Sequence, residues 1–277
     1  HNKLLDEVRK YFYLGGMPAV LNQYFREEQE LGDKSEAIDK ELSKIIYSYK
    51  KDFGKYSNLA MHKYLEAVFI NSVKQIGEKF KYAKVDRELN AQELKKAYEL
   101  LVDVGVLLKI RKASAVGLPL EANASEKHFK TLFLDVGLVC KLLGSDTEII
   151  SEILNSKNFH SLAQGAITEQ FIGQELLSLK PYYEEPKLYY WEREVKNSSA
   201  EVDYLIGHKG RIWPIEVKSG KTGRLKSIHL ILEEYKMPFG IRISQKKLEF
   251  DNNILSVPLY AVPEIPRLIA ELSLKSP

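Results

Sequence analysis

The sequence predicts a mixed chain, part α+β and part α/β, in two halves: a helical half that ends in a pair of strands, then a half built on a sheet flanked by helices. Three observations carry this. Apolar residues recur at helical spacing from Leu4 to Ile76, as in Ile38, Leu42, Ile45, Tyr49 and Phe53. Short β-rich runs separated by turn residues follow at Val106–Arg111 and His128–Leu134. Past residue 163 the order becomes helix, three strands, helix, strand.

The elements read as follows. Leu4, Leu5, Val8, Phe12 and Leu14 mark a helix over 3–14, broken by Gly15-Gly-Met-Pro18, and Pro18 suits the first turn of the next helix. Gly32-Asp33 marks a loop, Gly54 closes the following helix, and Tyr64 to Ile76 form another. Residues 80–134 have the order of a winged helix. Asn90 caps a helix through Leu94, Ala97, Tyr98 and Leu101 that Gly105 ends, Val106–Arg111 is a wing strand, Gly117–Pro119 and Asn123–Lys127 form the wing loop, and His128–Leu134 returns. Val136–Leu143 is a short helix stopped at Gly144, and 145–163 is a connector with a weak helix; limited proteolysis is expected to cut there or in the wing near Asn123. The second half holds a helix over 165–179, strands near 187–192, 201–206 and 211–218, a helix over 225–236 and a strand over 239–244. A tail strand near 254–259 and a helix from Glu264 finish the chain. The domains expected are a helical segment over 1–57, a winged-helix domain over 58–145 and an α/β domain over 163–277.

Bulk composition excludes several classes. A chain of 277 residues with 44% hydrophobic and 29% charged content has the balance of a soluble globular protein. The net charge of +3 does not by itself imply nucleic acid. The single cysteine, Cys140, permits no intramolecular disulfide, is expected to be buried, and fits a cytoplasmic location. No run reaches the roughly 18 apolar residues of a membrane helix, so no membrane partner is expected. His1-Asn-Lys-Leu-Leu-Asp-Glu7 has no secretory pattern, and without an initiating methionine a longer natural chain is expected.

The chemistry concentrates in Ala200-Glu-Val-Asp-Tyr204 and Ile215-Glu-Val-Lys-Ser-Gly220. Two strands around Gly207-His-Lys-Gly210 are expected, with Ile206 opposite Arg211 and Asp203 opposite Pro214. Alternation then puts Asp203, Glu216 and Lys218 on one face, away from Val202, Tyr204, Trp213, Ile215 and Val217. Two carboxylates and a lysine on one sheet face are costly unless they bind something. Lys209, Arg211, Lys221, Arg224 and Lys226 either contact nucleic-acid phosphates or form an ordinary charged surface. Glu201 is either a further acid or a solvated edge residue. Ser219-Gly-Lys-Thr222 lacks the first glycine of a phosphate loop, because Ile215 stands there, so no ATP site is expected in this chain. The histidines His62, His160 and His229 show no zinc-ligand spacing.

Asp203 with Glu216-Val-Lys218 resembles the core motif of PD-(D/E)xK nucleases, though Val202 stands where the motif has proline. That resemblance implies a restriction-endonuclease-like α/β domain and one more acid from a preceding helix, for which Glu169 in Gly165-Ala-Ile-Thr-Glu169 is the candidate. Asp203, Glu216 and Glu169 would then hold Mg²⁺, and all three would be catalytic with Lys218. More broadly, Tyr13-Leu-Gly-Gly-Met-Pro18, Gly117-Leu-Pro-Leu120, Phe133-Leu-Asp-Val-Gly-Leu138, Gly165–Leu176 and the two strand motifs occur in the order of the C-terminal region of a prokaryotic family of AAA-type ATPases. This resemblance implies a partner ATPase module preceding the chain, with ATP bound only there. It leaves two functions open: a metal-dependent nuclease, or a non-catalytic module that binds nucleic acid or protein and reports to the ATPase.

Overall fold

A computed structural model describes residues 1–26, 31–56, 59–144, 164–193, 200–221 and 223–275. Among these it contains ten α-helices and one mixed eight-stranded sheet. Contacts divide the chain into a helical unit, Asp6–Leu108 with Lys130–Phe171, and a sheet unit, His1–Leu5 with Lys109–Phe129 and Ile172–Pro277. The connector expected over 145–163 lies wholly outside the described residues, as does Thr222.

The helical unit draws on α1 (Asn2–Leu14), α2 (Pro18–Tyr24), α3 (Leu31–Tyr56), α4 (Leu59–Asn71), α5 (Tyr82–Val85), α6 (Ala91–Asp103) and α7 (Val136–Leu142). Leu14, Val20, Ile38, Leu42 and Leu138 form one core, with Leu21, Ile45 and Tyr49 packed against it. Pro18 opens α2 as expected. The Asn90 side chain caps α6 by accepting from the amides of Gln92 and Glu93, and Leu94, Ala97, Tyr98 and Leu101 are buried. Two expectations about α3 are corrected: Gly32-Asp33 lies within the helix and not in a loop, and the helix runs past Gly54 to Tyr56. Glycine weakens a helix interior by only about 1 kcal/mol, which the apolar stripe of a 26-residue helix outweighs.

Two of the motifs that carry the family resemblance meet in this unit. Asp135 caps α7 through the Leu138 amide and also accepts from the Gly16 amide at 2.7 Å. Burial raises the affinity of its carboxyl for a proton, and these backbone hydrogen bonds oppose the rise. Gly15 has φ +66°, and a side chain there would collide with the Asp135 carboxylate. A Cβ on Gly137 would sit 2.7 Å from the Leu14 carbonyl oxygen and the Gly15 amide nitrogen. The glycines are therefore required by close backbone approach. Gly137→Ala is expected to cost about 1–3 kcal/mol in urea unfolding, the range for overpacking a filled core; an unchanged midpoint would refute this account.

The sheet unit contains β1 (Leu107–Ala113), β2 (Ala124–Phe133), β3 (Leu188–Glu192), β4 (Glu201–His208), β5 (Arg211–Val217), β6 (Gly240–Ser244), β7 (Glu249–Asp251) and β8 (Ile254–Pro258). Residues 107–108 of β1 and 130–133 of β2 are assigned to the helical unit. The order across the sheet is β2-β1-β3-β4-β5-β6-β8-β7. The return strand begins at Ala124, earlier than expected, after a 3-10 turn over Leu120–Asn123. β1 pairs in parallel with β3, so the strand expected as a wing joins the sheet of the second half. The ion pairs of Arg111 with Glu121 and Glu126 hold this region, and Tyr189 donates to Glu121. The Arg111 guanidinium beside Glu121 keeps that carboxyl below its usual range. Helix α8 (Gln164–Ser178) precedes β3; α9 (Lys226–Glu234) supplies Ile228, Ile231 and Leu232 to a core with Val202, Leu205, Ile212 and Ile254. Helix α10 (Ile265–Lys275) ends the described chain. No helix among the described residues is long and apolar enough to cross a membrane.

Candidate functional site

The hairpin that carries the candidate residues turns more tightly than expected. His208 pairs with Arg211, and Ile206 pairs with Trp213 and not with Arg211. Lys209 and Gly210 alone make the turn, with φ of 48° and 73°, the left-handed pair of a two-residue hairpin loop whose twist matches that of its strands. The register is therefore two residues from the expected one. Leu205, not Asp203, lies opposite Pro214, and continuing the ladder brings Asp203 opposite Glu216. Glu201 pairs with Glu192 of β3.

A second departure falls on Asp203 itself. β3 and β4 pair through Tyr189↔Leu205 and Trp191↔Val202, so β4 carries one extra residue between these pairs. Val202 and Leu205 consequently join one apolar core, and simple alternation does not hold across Asp203-Tyr204. A β-bulge of this kind re-aims a side chain. Here the Asp203 carboxylate accepts a 2.7 Å hydrogen bond from the Val217 amide, the residue midway between Glu216 and Lys218. A shift of two residues preserves the face, so the ladder still brings Asp203 across from Glu216, and this bond fixes its carboxylate on the Glu216–Lys218 segment.

Glu216 is 6% exposed and lies opposite Arg242 of β6. The Lys218 ammonium donates to its carboxylate at 2.5 Å. The chain beyond Lys218 is pinned by β6 and the residue just after it: the Lys218 amide donates to Ile243 O, the Gln245 side chain to Ser219 O and the Arg242 guanidinium to Lys221 O. Gly223 packs so closely on the Lys218 stem that a Cβ would lie 2.8 Å from Lys218 Cδ.

The basic residues divide into two groups. Lys221, Arg224 and Lys226 are exposed and follow Lys218 beyond the end of β5, whereas Lys209 and Arg211 are exposed at the turn, at the opposite end of that strand. At about 3.3 Å per residue the groups are separated by roughly the length of a strand. A cavity of about 630 Å³ lies near the turn group, lined by Leu118, Leu205, His208 and neighbours; Asp203, Glu216 and Lys218 do not line it.

Glu169, on α8, belongs to the helical unit. Its carboxylate accepts a 2.8 Å bond from the ammonium of Lys130, whose side chain is 1% exposed. Cys140 is buried, and burial pushes its thiol well above the usual range. Sequence patterning does not single out Arg242. Its signal was a lone cation inside Gly240-Ile-Arg-Ile-Ser244, a strand otherwise fit for a core.

As for a metal, among the described residues no three His, Cys, Asp or Glu side chains gather into a cluster. Two carboxylates are nevertheless a donor set that suits Mg²⁺, a hard cation commonly held by one or two carboxylates, with waters and substrate phosphates completing its shell.

Residues 164–262, which include Asp203, Glu216, Lys218 and Arg242, match a domain of unknown function, DUF4143, found C-terminal to AAA ATPases in many bacterial proteins. No curated protein and no solved structure matches the chain. A second domain of unknown function, DUF8612, matches residues 5–148, just over half of the sequence, and the chain therefore belongs to the DUF8612 family.

Proposed function

We propose that the sheet unit is a PD-(D/E)xK-like, Mg²⁺-dependent nuclease domain that acts on nucleic acid, within the C-terminal part of a protein related to AAA ATPases. The observation that carries this reading is the Asp203 carboxylate held on the Val217 amide, between Glu216 and Lys218. Asp203 and Glu216 would hold the ion, and when bound it would supply polarisation of the scissile phosphate and a lowered water pKa. Lys218, paired with Glu216, orients water or meets charge developing on the phosphate. Lys221, Arg224 and Lys226 are exposed beside it and would contact the backbone phosphates. Glu169 is not used in this reading, because Lys130 engages its carboxylate. Incubation with single-stranded and duplex DNA and RNA, with Mg²⁺ or Mn²⁺ and with chelator, is expected to show cleavage only with the metal. Intact substrates under every condition would overturn the catalytic reading.

One observation favours the second reading, a non-catalytic module that binds nucleic acid or protein for an ATPase. Glu216 already has the Lys218 ammonium at hydrogen-bond distance, so its charge is met by the protein itself. Oligonucleotide binding without cleavage, unchanged in Glu216→Gln and Lys218→Ala, would establish that reading in place of the first.

A further inference from the structure

The cavity beside the β4–β5 turn lies within the sheet unit, apart from the carboxylates and Lys218. Its volume of about 630 Å³ is in the range of pockets that hold small organic groups. Leu118, Leu176, Leu205 and Ile206 give it apolar walls. Leu118 is held against β4, because Gly207 has no side chain: a Cβ there would come within 2.8 Å of Leu118 Cδ2. Part of the polar lining is already matched. Glu121 accepts from Tyr189 and Arg111, and Lys187 pairs with Glu185 at 2.9 Å.

The rim is not matched. Lys180 lines the cavity, and Lys209 and Arg211 flank Gly210, which lines it too. These three cations are exposed, and among the described residues none has an ion-pair partner. Glu184 is the one acid of the lining in the same condition. Between Lys180 and Glu184 the chain turns back, with the Glu184 amide donating to the Pro181 carbonyl at 3.0 Å. Tyr182 and Tyr183 take the two central positions, where a turn favours small or polar residues. Tyr182 is 99% exposed and Tyr183 is 75% exposed, and their rings meet edge to face at 5.4 Å. Neither the core nor the turn calls for these aromatic rings.

An apolar cavity, exposed rings beside it and unpaired cations around it suit a ligand that joins flat rings by negative charges. Single-stranded nucleic acid has that chemistry: its bases can be splayed out and stacked on aromatic side chains while its phosphates meet cations. A duplex keeps its bases paired and stacked, and opening it costs free energy. A protein partner would match the apolar surface but would not in general bring the excess negative charge.

We propose that this cavity is a base-binding pocket for single-stranded nucleic acid. One splayed base enters it, a neighbouring base stacks on Tyr182 or Tyr183, and the phosphates meet Lys180, Lys209 and Arg211. This rests on the reading that the sheet unit meets nucleic acid, and adds a contact at the opposite end of β5 from Lys218.

The test needs neither metal nor cleavage. Binding to the full chain is read with chelator present, by fluorescence anisotropy of a labelled single strand of about ten nucleotides, as DNA and as RNA. Replacing both tyrosines, Tyr182→Ala with Tyr183→Ala, is expected to weaken binding at least about tenfold, the scale of a lost stacked base. Tyr182→Trp with Tyr183→Trp should retain it. Ile206→Trp, which fills the cavity, should weaken binding to a similar degree; the exposed tyrosines carry the test if that variant fails to fold. Lys180→Ala with Lys209→Ala and Arg211→Ala should lower the slope of log affinity against log salt by about two. A strand carrying 5-iodouracil should photo-crosslink to Tyr182 or Tyr183. Affinity within about twofold of wild type in the tyrosine-to-alanine variant would overturn the pocket. So would a duplex of equal length bound as tightly as the single strand, or no binding of the single strand by the wild type. Metal-dependent cleavage in any of those cases would leave the nuclease reading standing. Tyrosine-dependent binding without metal-dependent cleavage would support the pocket and defeat only the nuclease activity.

Discussion

Metal-dependent cleavage by the wild-type protein is expected to fall by at least about a hundredfold in Asp203→Asn and in Glu216→Gln, the usual scale for removing one preorganised charged group from a reaction centre. Both replacements are close to isosteric. An asparagine oxygen can still accept from the Val217 amide, the bond that anchors residue 203 to β5. A glutamine can still accept from Lys218. The fold should therefore survive, and circular dichroism with the unfolding midpoint checks that it does. The loss should then report on charge at the site and not on collapse of the hairpin. Cleavage at an unchanged rate in both variants would mean that the activity resides elsewhere.

Breaking the Lys130–Glu169 pair is expected to produce the largest change in stability. The Lys130 and Glu169 side chains are 1% and 13% exposed, and Gly77, with φ +73°, approaches so closely that a Cβ would lie 3.2 Å from Glu169 Oε2. Glu169→Ala removes the carboxylate from a buried ammonium and should cost about 3 kcal/mol or more in urea unfolding. Replacing both residues, Lys130→Met with Glu169→Leu, should recover most of that loss, because apolar groups of similar volume need no partner. A single-variant cost below about 1 kcal/mol would contradict a structural role, and would restore Glu169 as a candidate helix acid for a metal.

Much of the secondary structure was legible in the sequence because its causes are local. The Asn90 cap, the Pro18 start and the stripe through Ile38, Leu42, Ile45 and Tyr49 depend on residues within a few positions of one another. The adjacency of Glu216 and Lys218 was equally readable from their two-residue spacing along extended chain, although the strand expected over 211–218 ends at Val217. Tertiary structure decided the rest. The hairpin register depended on whether Gly207-His208 joined the strands or the turn, a choice made by positive φ at Lys209 and Gly210. The bulge at Asp203 arises from pairing with β3, whose sequence lies ten or more residues away, so no alternation rule within β4 could foresee it. The partners of Glu169 and Arg242 follow the same logic. Lys130 is 39 residues from Glu169, and the Lys221 carbonyl is 21 residues from Arg242. A charged side chain's role is set by which opposite charge or dipole it meets after burial, and that meeting is a property of the folded chain.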